Sequence, residues 1–338
     1  MSDRTANAPA AAGPRRRNAI RAERLARKQQ ARNRYLDCLA YLGARVAVTF
    51  LEMLGQTVGY ALADVVGAAL YHLDRRHRER ALGHLRMSFP HWSEQKIRRV
   101  AKASIRNMVC MGLELFLAPR CICPETWRRY IRLTNMSQVI RILVEQKTPL
   151  VLVTGHFGNW ELAGYFSAVI GLRTYTVARR LDNPYLNDFI FSVRERAGQK
   201  MIYKRGAAKA VDQALEKRQA VSVVCDQDAG RRGVFVDFFG RPASTFKSIA
   251  LMAMQFDAPI AVVCCRRLGR RFSFEIFAQQ IIHPHQWSER DDPLRWITQE
   301  YTHALEQAVR AQPDQYFWMH RRWKHRPPDQ ERGEDGIA

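Results

Sequence analysis

The stretch Leu150-Val151-Leu152-Val153-Thr154-Gly155-His156-Phe157-Gly158-Asn159-Trp160-Glu161 sets an apolar run against a histidine between two glycines, with an acid close behind. The apolar run describes a buried strand, and Asn159 stands where it can cap a helix from Trp160 to Ile170. The histidine therefore falls on a turn between strand and helix, and α/β proteins gather their active groups at the carboxyl ends of strands.

A hydroxyl cannot attack an acyl group at neutral pH while it keeps its proton. A histidine whose far nitrogen is held by a carboxylate is the usual device for removing it. On one continuous helix, positions five apart lie roughly 140° apart and point away from each other. His156 and Glu161 meet only if the backbone bends, and Gly155 and Gly158 supply that freedom. The pair points to acyl transfer. The plainer alternative is a hydrogen-bonded loop histidine beside a first-turn acid that the helix dipole favours.

The chain has 338 residues, 47% of them apolar, enough for one large domain or a domain with a helical extension. A net charge of +22 calls for an anionic partner: nucleic acid, an anionic lipid surface or an acidic protein. Seven cysteines without a CxxC pair fit a reducing compartment and buried free thiols better than a disulfide framework. Cys121-x-Cys123 has no second Cys/His pair at finger spacing, so neither metal nor cofactor is expected.

Residues 1–34 carry ten Lys/Arg against two acids and read as a basic, partly disordered tail. The most apolar window, Val46 to Ala63, includes Glu52 and falls short of a clean span of roughly 20 apolar residues. Its face Val46, Phe50, Leu51, Leu54, Val58, Leu62 suits an interfacial or embedded helix, or else a buried helix of a soluble protein. A basic segment before it resembles the cytoplasmic flank of a membrane anchor. Residues 35–130 thus read as an N-terminal helical, membrane-associating region, with helices at Asp74 to Ser88 and after the Ser93 cap. From Lys147 the period changes. Short strands are expected at 150–154, 174–178, 200–203, 220–225, 259–265 and 271–277, with helices between most of them. That alternation predicts an α/β fold with a mainly parallel central sheet flanked by helices, spanning 131–326. A disordered tail, 327–338, follows.

Arg194 lies near the end of a helix begun by Asn183-Pro184, and Asp226 directly follows an apolar strand. Either has a bland role available, as a dipole complement or a turn cap. Together with His156-Phe157-Gly158-Asn159-Trp160-Glu161, however, they form an ordered series. It runs through Arg180-Leu181-Asp182-Asn183-Pro184, Asp226-Gln227, Phe238-Phe239-Gly240-Arg241-Pro242-Ala243 and Trp318-Met319-His320-Arg321-Arg322-Trp323-Lys324. This series is similar to the lipid A biosynthesis (lauroyl/myristoyl) acyltransferases, within the lysophospholipid acyltransferase-like superfamily with its HX4E motif, over about residues 35–326.

The resemblance implies a glycerol-3-phosphate acyltransferase-like core with His156 as general base and Glu161 orienting it. Arg194, Asp226, Asn159 and Arg180 are then expected at the substrate. The implied donor is acyl carrier protein or acyl-CoA, and the acceptor a hydroxyl of a lipid A precursor or related anionic glycolipid. The implied location is the cytoplasmic face of the cell inner membrane, on an anionic surface. Two rivals are an acyl thioesterase using the same base on water and a basic nucleic-acid-binding protein. No Gly-x-Ser-x-Gly elbow, P-loop or GxGxxG occurs, and nucleic acid is not an expected partner.

Overall fold

The structure, a computed structural model, describes residues 34–196, 198–203 and 206–327. The disorder expected of residues 1–34 and 327–338 concerns segments that, apart from Arg34 and Pro327, lie outside the described residues. Seven strands form one sheet in the order β1 (Ile131–Thr134), β9 (Phe274–Ile282), β8 (Ile260–Arg267), β2 (Leu150–Thr154), β5 (Ala220–Val224), β3 (Thr174–Ala178), β4 (Lys200–Tyr203). Every pairing is parallel except β8 with β9. The mainly parallel sheet is therefore as expected. Two features escaped the reading of the sequence. The edge strand β1 is four residues long and interrupted by Arg132, and β6 (Val234–Asp237) pairs with β7 (Pro242–Thr245) in a separate hairpin.

Central strands read as unbroken apolar runs because both faces are covered. Val151 and Val153 join Val221, Ile260 and Val262 in one cluster, while Leu150 and Leu152 join Ala220, Ala261 and Val263 in another. Alternation along β2 thus sends successive side chains to opposite layers. The first layer is closed by α2 (Arg75–Ser88), the start of α3 (Glu94–Cys121), α8 (Lys247–Gln255) and α9 (Pro293–Ala311), through Leu82, Ile97, Ile249 and Leu305. The second is closed by α4 (Ser137–Glu145), α5 (Trp160–Val169) and the end of α3, through Val139, Leu162 and Leu117. The helix starts follow side-chain capping. Asp74, Ser93, Asn159, Asn183 and Asp292 each accept a backbone N–H three residues on.

Helix α1 (Arg34–Leu73) is longer than the window that the sequence singled out, and it bends at Gly55 (φ 76°). An 18-residue window of it has a mean hydropathy of 1.4 with none of its residues buried, whereas Gly59, Tyr60 and Ala63, at the end of the window that the sequence singled out, are buried. Its second half lies along α3, where Gly67 meets the Arg106 backbone so closely that an added Cβ would sit 2.9 Å from that Cα. Its first half exposes Leu39, Val46, Phe50 and Met53, all more than half open to solvent.

Where α1, α3, α5 and β8 converge, Glu114 is completely buried. It accepts hydrogen bonds from Tyr60 Oη (2.7 Å), Asn159 Nδ2 (2.8 Å) and Arg267 Nη2 (2.9 Å), and Arg267 Nε reaches its other oxygen. Arg267 Nη1 donates to Asn107 Oδ1 at 2.6 Å, so the charges are both paired and saturated. Removing one partner strands the other in a dry interior. Arg267→Ala is expected to lower the unfolding free energy by about 3–5 kcal/mol. Denaturant titration checks it, and an unchanged midpoint would show that the pair does not support the fold.

Candidate active site

The turn between β2 and α5 is shaped by what surrounds it. Gly158 has φ 58°, and a Cβ there would collide with the Cys265 carbonyl; Gly155 leaves no room either, as a Cβ would lie 2.5 Å from Leu305. These glycines let the chain turn tightly against β8 and α9, with Gly158 N donating to Gln315 O and Asn159 N to Cys265 O. The result aims the His156 ring back over the end of β5.

Parallel pairing of β2 with β5 matches Leu150 to Ala220 and Thr154 to Val224, and Cys225 N donates to Thr154 O at 2.8 Å. Carried two residues further, the same register sets His156 opposite Asp226. His156 Nδ1 lies 2.7 Å from Asp226 Oδ1, and the His156 backbone N–H donates to Asp226 Oδ2 at 2.8 Å. A carboxylate only accepts, so Nδ1 carries the proton and Nε2 is the free nitrogen. Nε2 points to a cavity of about 670 Å³ and lies 3.5 Å from the Gln227 amide nitrogen.

Burial presses the His156 imidazolium down, but the Asp226 charge and hydrogen bond, with a smaller contribution from Glu161, lift it above its ordinary 6.5. Burial likewise opposes the Asp226 carboxylate. The His156 charge and bonds outweigh it and hold the acid well below its usual range.

This corrects the expected role of Glu161. It does not hold His156, because from the first turn of α5 its carboxylate instead takes a two-bond grip from Arg194, Nε to Oε2 at 2.8 Å and Nη2 to Oε1 at 2.7 Å. Arg194 thus gives Nε and Nη2 to an acid, and both residues line the same cavity as His156. Asp226, expected at the substrate, is buried and is the brace. Asn159 is fully buried too, with its oxygen capping α5 at Leu162 N and its nitrogen on Glu114, so it has no atom left for a ligand. Arg180 is exposed and lies over the Tyr203 ring at 3.9 Å, outside the lining of the cavity.

The cavity wall is largely apolar, with Trp160, Val177, Met201, Val211, Leu251 and Met252 around the polar groups. A second, apolar cleft shares Thr154, Trp160, Gly164 and Ser222 with it and runs between α4 and α5 past Leu143 and Phe166. A slightly larger hollow, about 730 Å³, lies by the β6–β7 hairpin and is lined by Asp237, Lys247, Asp292 and Arg295 without a histidine, cysteine or tyrosine. Of these three, only the first is lined by His156.

A braced imidazole with its outer nitrogen free beside an apolar cavity is an arrangement for deprotonating a hydroxyl. A family model described as bacterial lipid A biosynthesis acyltransferase matches residues 27–325. The lipid A biosynthesis lauroyltransferase of Escherichia coli (strain K12) is 26% identical over 86% of this chain and 92% of its own length. The lipid A biosynthesis acyltransferase of Haemophilus influenzae is 24% identical over 82% and 86%. The phosphatidylinositol mannoside acyltransferase of Mycobacterium tuberculosis (strain H37Rv) is 27% identical over 51% and 54%. Among solved structures, the 1-acyl-sn-glycerophosphate acyltransferase of Thermotoga maritima aligns over 75% of this chain and 94% of its own with a TM-score of 0.31 and 14% identity. The protein is an O-acyltransferase. It belongs to the bacterial lipid A biosynthesis acyltransferase family, as the match across most of the chain shows.

The dyad leaves a pH signature in stability. The raised His156 contributes fully below 6.5 and loses its contribution as pH climbs through the folded-state value, while the depressed Asp226 contributes fully above 3.8 and loses it as pH falls. Asp226→Asn should therefore destabilise most between pH 3.8 and 6.5, the ordinary values of the two groups, with the gap to wild type narrowing above. Thermal unfolding of both proteins across pH tests this, and a gap that does not narrow above pH 6.5 would contradict it.

Proposed function

We propose that the enzyme moves a fatty acyl chain from a thioester, on acyl carrier protein or coenzyme A, to a hydroxyl of a lipid A precursor or related anionic glycolipid. The observation that carries this reading is the free Nε2 of His156, braced by Asp226 and opening on an apolar cavity. In this reading Nε2 takes the proton of the acceptor hydroxyl, and the oxygen bonds to the thioester carbonyl carbon. The resulting tetrahedral intermediate collapses by breaking the carbon–sulfur bond, and the departing thiolate recovers the proton from the His156 imidazolium. Asp226 stabilises that imidazolium while it exists, without becoming protonated itself. The Glu161–Arg194 pair fixes the cavity wall beside the reacting atoms, which is a matter of orientation.

The apolar wall and the adjoining cleft suit a hydrocarbon chain, and the +22 balance suits an acidic carrier and an anionic leaflet. Residues 131–326 act as the catalytic core in this account, while 35–130 associate with the membrane. The exposed first half of α1 supplies the contact, at the cytoplasmic face of the cell inner membrane.

His156→Ala is expected to lower acyl transfer by at least about 10²–10⁴-fold, with folding retained. Glu161→Gln should lower kcat more than it raises KM, by about tenfold or more, because one of the two bonds to Arg194 is lost. Both are measured by mass spectrometry of the acylated glycolipid. Thioester consumed by the wild type with no acylated lipid would overturn the transferase reading in favour of hydrolysis. Replacing Phe50 and Met53 with Ser should weaken flotation with anionic vesicles even at high salt, since apolar burial is not screened. Unchanged flotation would remove α1 as the contact.

A further inference from the structure

The segment Tyr316 to Trp323 contains a second histidine that the acyl-transfer chemistry does not use. His320 is half-buried behind the dyad, with its ring centroid 5.7 Å from that of His156, and it is absent from the cavity lining. Its Nε2 lies 2.9 Å from the backbone carbonyl of Asp226 and 4.0 Å from Asp226 Oδ2. Its Nδ1 lies 2.5 Å from the Phe317 carbonyl, and Phe317 N donates to the His156 carbonyl at 2.9 Å. With the two bonds from His156 to Asp226, these contacts close a circuit through His156, Phe317, His320 and Asp226.

We infer that His320 is a positioning residue for the reaction, holding the Asp226 peptide so that its carboxylate meets His156 Nδ1. The inference rests on the acyl-transfer reading for its kinetic consequence, though its geometric consequence is independent of any substrate. Asp226 is the first residue but one beyond β5, where the ladder with β2 has ended. Nothing in the sheet then fixes its peptide plane. The neutral His320 ring has one N–H for the two carbonyls it faces, and in the inferred tautomer Nε2 carries it and donates to Asp226 O. A rotation there would swing both carboxylate oxygens away from the ring and the backbone N–H they serve. The segment carrying His320 is itself anchored. Ser104 Oγ donates to Tyr316 O, Trp318 Nε1 donates to Pro313 O at 2.6 Å, and the buried Arg322 donates to Ser244 O and Thr245 Oγ1, each at 2.7 Å. The clamp has a rigid base.

The groups that face His320 are Asp226 beyond β5, His156 on the β2–α5 turn, the Tyr316 hydroxyl at 3.4 Å, the Phe317 ring stacked on it and His84 on α2. Burial acts most strongly on His156 and presses it down, and among the charged groups Asp226 lifts it more than Glu161 does. A loosened Asp226 therefore shows as a fall in the His156 titration midpoint.

The test uses the full chain and two variants of opposite reach. In His320→Gln the amide nitrogen extends to about the place of Nε2, whereas in His320→Asn it reaches only as far as Nδ1. NMR titration of the His156 ring, which needs no substrate, should show a midpoint close to wild type for His320→Gln and one shifted toward 6.5 for His320→Asn. Acyl transfer should fall by about 10²-fold in kcat for His320→Asn with KM within about twofold, and recover most of the loss in His320→Gln. Equal behaviour of the two variants, or a His156 midpoint unmoved in His320→Asn, would overturn the inference. Should His320→Asn fail to fold, a midpoint in His320→Gln as low as in Asp226→Asn would do so as well. Shifted midpoints with no acyl transfer in the wild type would instead sink the acyl-transfer reading and leave the positioning role standing.

Discussion

The parallel ladder between β2 and β5 governs the rest of the site, because it decides which residue beyond one strand faces which beyond the other. The offset of seventy that pairs Leu150 with Ala220 also pairs His156 with Asp226. A slip of one residue would turn the β2 side chains to the wrong layer and separate imidazole from carboxylate in the same movement. Register and the pairing of His156 with Asp226 are thus enforced by one hydrophobic pattern. The alternation that sends Val151 and Val153 to one layer and Leu150 and Leu152 to the other is what makes any other pairing costly.

Around that ladder, the protein saturates its buried polar groups. Glu114 binds Tyr60, Asn159 and Arg267, and the segment after α9 threads between α3 and the dyad turn, where Asn107 donates to both Gly158 O and Gln315 O. Each such bond joins elements far apart in the chain. The turn bearing His156 is held from α3, β8 and the C-terminal segment together, which is the preorganisation that the proposed general base requires, since an imidazole free to rotate loses its grip on both partners.

Much of this was legible in the residues. The apolar runs gave the strands, Ser93 and Asn159 gave the starts of two helices, and the glycines around His156 gave the turn. The partner of His156 was not legible, because nearness along the chain pointed to Glu161, five residues away, while nearness in space is set by strand order. Asp226 takes the place beside His156 expected of Glu161 for that reason, and Arg194 turns to Glu161. Once β2 and β5 are known to be neighbours in parallel, equal distance past two strand ends is a signal that names Asp226. Asn159 shows the converse error. A residue in a motif was expected to touch substrate, yet its two polar atoms serve the cap and Glu114. His320 carried a signal only as part of the Trp318 to Lys324 run, whose purpose depends on contacts more than ninety residues distant in sequence.

The central claim is that Asp226 fixes the proton of His156 on Nδ1 and leaves Nε2 bare toward the cavity. Nitrogen-15 NMR of histidine-labelled protein, taken at a pH where His156 is neutral, reads this directly from the chemical shifts of the two ring nitrogens. The account predicts a protonated Nδ1 and an unprotonated Nε2. A His156 ring carrying its proton on Nε2 would contradict it.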